Sequence, residues 1–202
     1  RLWRWMCIEE AVAATDGQVA LYDGQPILAV FHSSSAGKTA GAGDVWSGDV
    51  PYLRSVDSPE GEETVPNYYS AAAFSAAEAK SLLAKAHPEL TLSGGPDRWF
   101  GAVERDDSGR VRTVEVCGIA LRGVELRRIF ALRSACFTID ASTDKVTFRV
   151  TGYGHGVGMS QYGANELARQ GKTWQEILTW YYADVTVGPA PETVQTAESV
   201  VN

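Results

Sequence analysis

The chain has 202 residues, of which 45% are hydrophobic and 21% charged, a balance that suits one globular domain and excludes intrinsic disorder. Its formal charge of −7 excludes the basic footprint that nucleic acid or an anionic membrane surface requires, and leaves uncharged or polysaccharide partners open. No apolar run approaches the roughly 18 residues of a spanning helix, and the opening RLWRWMCIEE lacks the continuous apolar stretch of a signal peptide.

The chain begins without Met, as expected of a fragment or a processed form. Residues 18–31, QVALYDGQPILAVF, read as two short strands around Asp23-Gly24, a strong hairpin signal. Residues 33–65 mix Ser, Gly, Asp and Pro with isolated aromatics, too long a stretch for an idle connection, and predict a functional loop region. SAAEAKSLLAKAH (75–87) predicts a helix with Ser75 as N-cap, Glu78 three residues on and Pro88 as a stop. WFGAVERDDSGRVRTVEVCG (99–118) reads as a second hairpin around Asp107-Ser108-Gly109. GVELRRIFAL (123–132) reads as a short helix, and ACFTID and KVTFRV as two further strands. QYGANELARQG forms a helix ended by Gly171, and TWQEILTWYY another, opened by a Thr173–Glu176 capping box. From Gly188 the composition turns to Pro, Thr, Glu and Ser, which predicts a linker or frayed tail. The expected organisation is a single domain over 1–187 and a tail over 188–202. The expected fold class is α+β: a mainly antiparallel sheet from hairpins, with helices packed on it.

The stretch GYGHGVGMSQYGA (152–164) departs from any ordinary core element. Glycines at 154, 156 and 158 flank His155 and allow positive φ and close approach of another backbone or a ligand. Ser160 sits at an N-cap position, with Gln161 and Tyr162 in the first helical turn. An imidazole, an amide, a phenol and free backbone amides in one place suit neutral hydroxyl and acetamide groups. The bland alternative is a tight turn that packs a helix onto a sheet. In the 43–61 loop, Trp46 and Tyr52 are flat faces that suit sugar rings, and Arg54 suits ring substituents or a carboxylate; equally, the aromatics can anchor the loop. His32 either closes a strand as a satisfied histidine or faces the same site.

Other motifs fail on spacing. SAGKTAG (35–41) has the Gly37-Lys38-Thr39 ending of a phosphate loop, but His32 stands where its first glycine belongs and AGAGD cannot supply the helix that should follow. No GxGxxG, GxSxG or HExxH is present, so no nucleotide, nucleophile-elbow or metal site is expected, and no cofactor. Cys7, Cys117 and Cys136 are an odd, widely spaced set, read as inert thiols rather than a disulfide framework.

Four blocks, AVAATDGQVALYDGQPILAVFHSSSAGKT, DVWSGDVPYLRSVDSPEG, GVELRRIFALRS and GYGHGVGMSQYGANELARQGKTWQEILTWYYADVTV, occur in an order that resembles the stage II sporulation protein D family over residues 11–187. That family includes peptidoglycan lytic transglycosylases and related amidase enhancers. The resemblance implies a glycan cleft lined by His32, Ser34, Tyr52, Arg54, His155, Ser160, Gln161 and Tyr162. Arg54 stands where many members have Lys, which keeps the charge but changes its geometry. It implies peptidoglycan strands as partner, with a cell-wall amidase as a second, and an extracytoplasmic location.

The reaction it implies cleaves the MurNAc–GlcNAc bond with one acid. That acid protonates the leaving oxygen, and the same carboxylate then takes the C6 hydroxyl proton as a 1,6-anhydro ring closes. The family's acid is a Glu in a segment like EALKAQAVAART, ahead of the first block, as is a Cys/His metal cluster of some members. This chain is therefore expected to start too late for either, to carry no catalytic residue, and to bind without cleaving. A structural domain at a cell-wall assembly is the third reading. Were the chain to cleave alone, Asp57 or Glu60 beside PYLRSV would be the first acids to examine.

Overall fold

A computed structural model describes residues 2–191. Helix α1 (Leu2–Ala14) carries Trp3, Trp5, Met6, Ile8 and Val12 exposed, so its apolar residues do not form one buried face. The first hairpin follows as β1 (Gln18–Tyr22) and β2 (Gln25–Pro26). Asp23 and Gly24 both have positive φ, 48° and 74°, as a two-residue turn matched to strand twist needs. After β3 (Phe31–His32) the predicted loop region is interrupted by one turn of helix, α2 (Ala42–Val45).

Strand β4 (Tyr69–Ser75) runs into α3 (Ala76–Ala86), whose Ser75–Glu78 capping box is formed as the sequence predicts. A 3₁₀ turn at Pro96–Arg98 leads to β5 (Phe100–Arg105), β6 (Val111–Val116) and β7 (Ile119–Arg122), an antiparallel meander. Helix α4 (Gly123–Ile129) and the hairpin β8 (Phe137–Ala141) and β9 (Lys145–Thr151) complete this half. The predicted helix over 123–132 stops early because Ala131 turns left-handed, at φ 50°. The Leu132 amide then returns to the Arg127 carbonyl at 2.8 Å.

The last elements are β10 (Met159–Ser160), α5 (Gln161–Arg169), α6 (Trp174–Tyr181) and β11 (Thr186–Pro189). Strand β11 pairs with β1, with Gly188 opposite Val19 and Pro189 opposite Gln18, so ordered pairing reaches into the segment predicted as tail. Residues 192–202 lie outside the described residues.

The fold is α+β as expected, but its strands are shared among four small sheets, ordered β11-β1-β2, β10-β3, β4-β9-β8 and β5-β6-β7. Two apolar cores result. One joins the two longer antiparallel sheets to α3 and α4 around Phe148, whose ring lies 4.5 Å from Phe130 and 5.5 Å from Phe137. The other gathers Leu53, Val157, Leu167, Ile177, Tyr181 and Tyr182 beneath the first hairpin. The chain passes from the first core to the second through residues 152–158.

Candidate functional site

Residues 152–158 leave β9 and fold back along residues 33–40. Ser34 and Tyr153 exchange backbone hydrogen bonds of 3.0 and 2.9 Å, and the Ala40 amide donates to the Gly156 carbonyl at 2.8 Å. β10 then lies parallel to β3, with Ser160 opposite His32. Two glycines make this approach possible. At Gly158 (φ +70°) a Cβ would stand 2.1 Å from the Val30 carbonyl oxygen. At Gly156 (φ +89°) it would stand 2.3 Å from the Arg110 guanidinium carbon. The glycines therefore serve close approach to backbone and to a buried cation, one of the roles the sequence assigned to them.

His32 is only 4% exposed. Its Nδ1 is 3.2 Å from the Val157 carbonyl oxygen, which can only accept, so Nδ1 carries the proton. Nε2 therefore accepts from the Ser35 hydroxyl at 2.8 Å. Burial, helped by the charge of Arg110 and by His155, holds its pKa down at about 3. His32 is thus a neutral, satisfied histidine that closes a strand, and its ring also stands 5.6 Å from that of His155.

His155 is half-buried, and its Nδ1 accepts from the Val157 amide at 3.1 Å. Burial, then Arg127 and Arg110, lower its pKa, while a hydrogen bond with the Phe31 backbone works the other way. Trp46 covers it from the 43–61 loop, ring centres 5.6 Å apart, and also packs on the second core. Beside the pair opens a cavity of about 610 Å³ with Trp46, Tyr153 and His155 on its wall. Tyr153 is 48% exposed, and one face of its ring meets the Arg133 guanidinium at 4.6 Å.

Ser160 is buried, donates to Glu60 Oε1 and accepts from the Gly163 amide at 3.2 Å, so it is the N-cap of α5. Glu60, 4% exposed, also accepts from the Ser35 amide at 2.6 Å. This carboxylate clamps the two loops together from behind, and its depth removes it as an acid for an external sugar. Asp57 is exposed and paired with Lys38 at 3.4 Å. Arg110, fully buried below Gly156, donates to the Lys38 carbonyl at 3.0 Å and the Ser108 hydroxyl at 2.9 Å.

Of the predicted site residues, His32, Ser34, His155 and Ser160 come together along this seam; Ser34 is buried, with no partner for its hydroxyl among the described residues. Gln161 is exposed at the start of α5, and Tyr162 is half-buried with its amide on the Ser33 carbonyl at 3.1 Å. Tyr52 and Arg54 join a different group. The Tyr52 ring is 5.2 Å from that of Tyr22, and its hydroxyl accepts from the Leu28 amide at 2.9 Å, so it anchors the loop. Arg54 donates to the Pro51 carbonyl at 2.7 Å and pairs with Asp184 at 3.2 Å. Sequence reasoning missed Ser35, Arg110 and Tyr153, and the clamping role of Glu60. A buried charge leaves no local spacing signal, because its partners are distant in the chain.

Among the described residues no group of three His, Cys, Asp or Glu side chains is placed to hold a metal ion, and all three cysteines are free. The cavity wall offers the half-buried His155 imidazole, the rings of Trp46 and Tyr153, and the side chains of Arg122, Arg127, Arg128 and Arg133, while His32 stays committed behind it. Asp57 and Asp44 are paired with Lys38 and Arg112, and Glu60 holds Ser160 and the Ser35 amide on Oε1 while its buried Oε2 has no partner among the described residues.

No protein-family model matches the chain. It is 38% identical over 184 residues to a protein named stage II sporulation protein D from Bacillus subtilis (strain 168), covering 91% of this chain and 51% of that one. The protein of the same name from Bacillus amyloliquefaciens is 37% identical over 183 residues. A Bacillus subtilis protein named amidase enhancer is 26% identical over 225 residues, covering 88% of this chain and 32% of that protein. The chain spans about half the length of the sporulation proteins it matches.

Proposed function

We propose, from the homology that joins this chain to the stage II sporulation protein D proteins, that it is a domain that holds the glycan strand of peptidoglycan for lytic transglycosylation. The observation that carries the reading is the seam between residues 33–40 and 152–160, where the His155 imidazole meets Trp46 and Tyr153 at the mouth of a cavity. Neutral donors and flat rings match N-acetylated sugars, which carry hydroxyls at the rim and apolar faces. The domain acts outside the cytoplasm, where such strands lie.

Binding and cleavage separate in this site. Cleavage through a 1,6-anhydro product needs one carboxyl that is open to the glycosidic oxygen. Glu60, the carboxylate set into the seam, is buried, and its Oε1 accepts from both Ser35 and Ser160, so it is not open to a glycosidic oxygen there. A second reading, binding in support of an amidase, is favoured by the burial of Glu60 in the seam and by the likeness to the amidase enhancer.

Titration of chitotetraose into the 202-residue chain tests the reading. Weak binding is expected, lowered about tenfold by Trp46→Ala and by His155→Ala, the scale of a lost stacking face or hydrogen bond. Tyr52→Ala should instead lower stability, because that ring is committed to Tyr22. Incubation with peptidoglycan should give no anhydro-muropeptides by mass spectrometry. Binding unaffected by both site substitutions would overturn the placement of the site, and anhydro products from this chain would show an acid that the geometry hides.

A further inference from the structure

We propose that the cavity beside His155 is a carboxylate subsite, which takes an anionic substituent of the glycan strand through Arg122, Arg127, Arg128 and Arg133. This rests on the glycan reading above and adds the charged part of the ligand. In a chain of net charge −7, residues 122–133 hold four arginines and one acidic residue, Glu125. The fold turns that run into a wall. Arg127 and Arg128 come from the last turn of α4, and the left-handed Ala131 brings Arg133 back beside them. Arg122, at the start of the helix, closes the other side.

The arginines divide by pairing, and these four, like Arg98, Arg105 and Arg110, have no carboxylate partner among the described residues, but only these four gather on one cavity wall. Arg54, Arg112, Arg149 and Arg169 each face an Asp or Glu within ion-pair distance. Among the described residues none of the four cavity arginines does. Their contacts inside the protein are to carbonyls and a ring: Arg122 to Val45 at 3.1 Å, Arg127 to Leu132 at 3.3 Å, Arg133 over Tyr153 at 4.6 Å. The buried Nε of Arg133 has no hydrogen-bond partner. Like charges gathered in a concave, partly apolar site focus a positive potential and favour an anion that can take several N–H donors at once.

A carboxylate fits this fork geometry, and the strand supplies one next to the sugar. GlcNAc is neutral. MurNAc carries a lactyl ether whose carboxyl is either free or amide-linked to a stem peptide that bears carboxylates of its own. The cavity shares Trp46 and His155 with the sugar site, so such a substituent points into it from a ring held there.

The test compares three ligands by calorimetry on the whole chain: chitotetraose, a GlcNAc–MurNAc tetrasaccharide with free lactyl groups, and the same oligomer bearing stem peptides. A carboxylated oligomer should bind roughly tenfold more tightly than chitotetraose at low ionic strength, as charge-assisted hydrogen bonds predict. The advantage should shrink with added salt. In Arg128→Gln, and in the double variant with Arg122→Gln, both at exposed positions, the ratio should fall towards one. A gain confined to the free-lactyl oligomer identifies the lactyl carboxylate, and a gain confined to the other identifies the stem. Equal binding of all three, or an advantage that survives the substitutions, overturns the subsite and leaves the glycan reading standing. Binding of none overturns both.

Discussion

His32 shows how a buried imidazole in the seam is kept uncharged. Its folded pKa of about 3 lies below the ordinary value of 6.5, because burial and the Arg110 charge penalise the imidazolium. Between these values the unfolded chain binds a proton that the folded chain refuses. The contribution of neutral His32 is therefore intact above pH 6.5 and is lost as the pH falls towards 3, on the order of 4 kcal/mol across the window. Urea midpoints measured from pH 7 to pH 4 should fall steeply in the wild type. In His32→Gln, less stable at pH 7 through loss of the Ser35 and Val157 bonds, the slope in that window should be flatter. Parallel slopes would show that other groups carry the acid sensitivity. The sequence left His32 open between a strand closer and a ligand-facing group, because the bond that decides it comes from a residue 125 positions away.

Elements with a chemical punctuation mark were legible. The Ser75 and Thr173 capping boxes, the Asp23-Gly24 turn and the Ser160 cap all stand where their residue types put them. Helix α1 and strand β7 were not read. The first has no N-cap signal and no segregated apolar face, and the second is a four-residue strand hidden between a turn and a helix start. The glycine loop was legible as unusual but not as to which glycines are indispensable. Gly158 and Gly171 both have positive φ, yet only Gly158 faces a backbone oxygen at 2.1 Å, while nothing lies within 4 Å at Gly171. Gly171→Ala should cost about 1 kcal/mol, the left-handed penalty alone. Gly158→Ala should cost roughly 3 kcal/mol or more, because the β3–β10 pairing has to open, and should also lower glycan binding. Equal costs in denaturant titrations would mean that the contact to Val30 is easily relaxed.

The whole molecule sets two apolar cores on either side of a polar seam, and the seam is where the resemblance and the geometry meet. Composition and hairpin spacing were enough for the α+β class, but not for the split into four sheets, which depends on how the 33–65 loop threads between the cores. The same threading explains why the predicted cleft is only partly assembled. His32, Ser34, His155 and Ser160 are tied by backbone pairing, whereas Tyr52 and Arg54 follow the loop towards Tyr22 and Asp184. Glycan binding at this seam is read most directly by heteronuclear NMR of the labelled 202-residue chain during chitotetraose titration. Amide and side-chain shifts should concentrate at residues 31–35, Trp46 and 153–162, with the Phe148 core unmoved. Shifts confined to other surfaces, or none at saturating ligand, would contradict it.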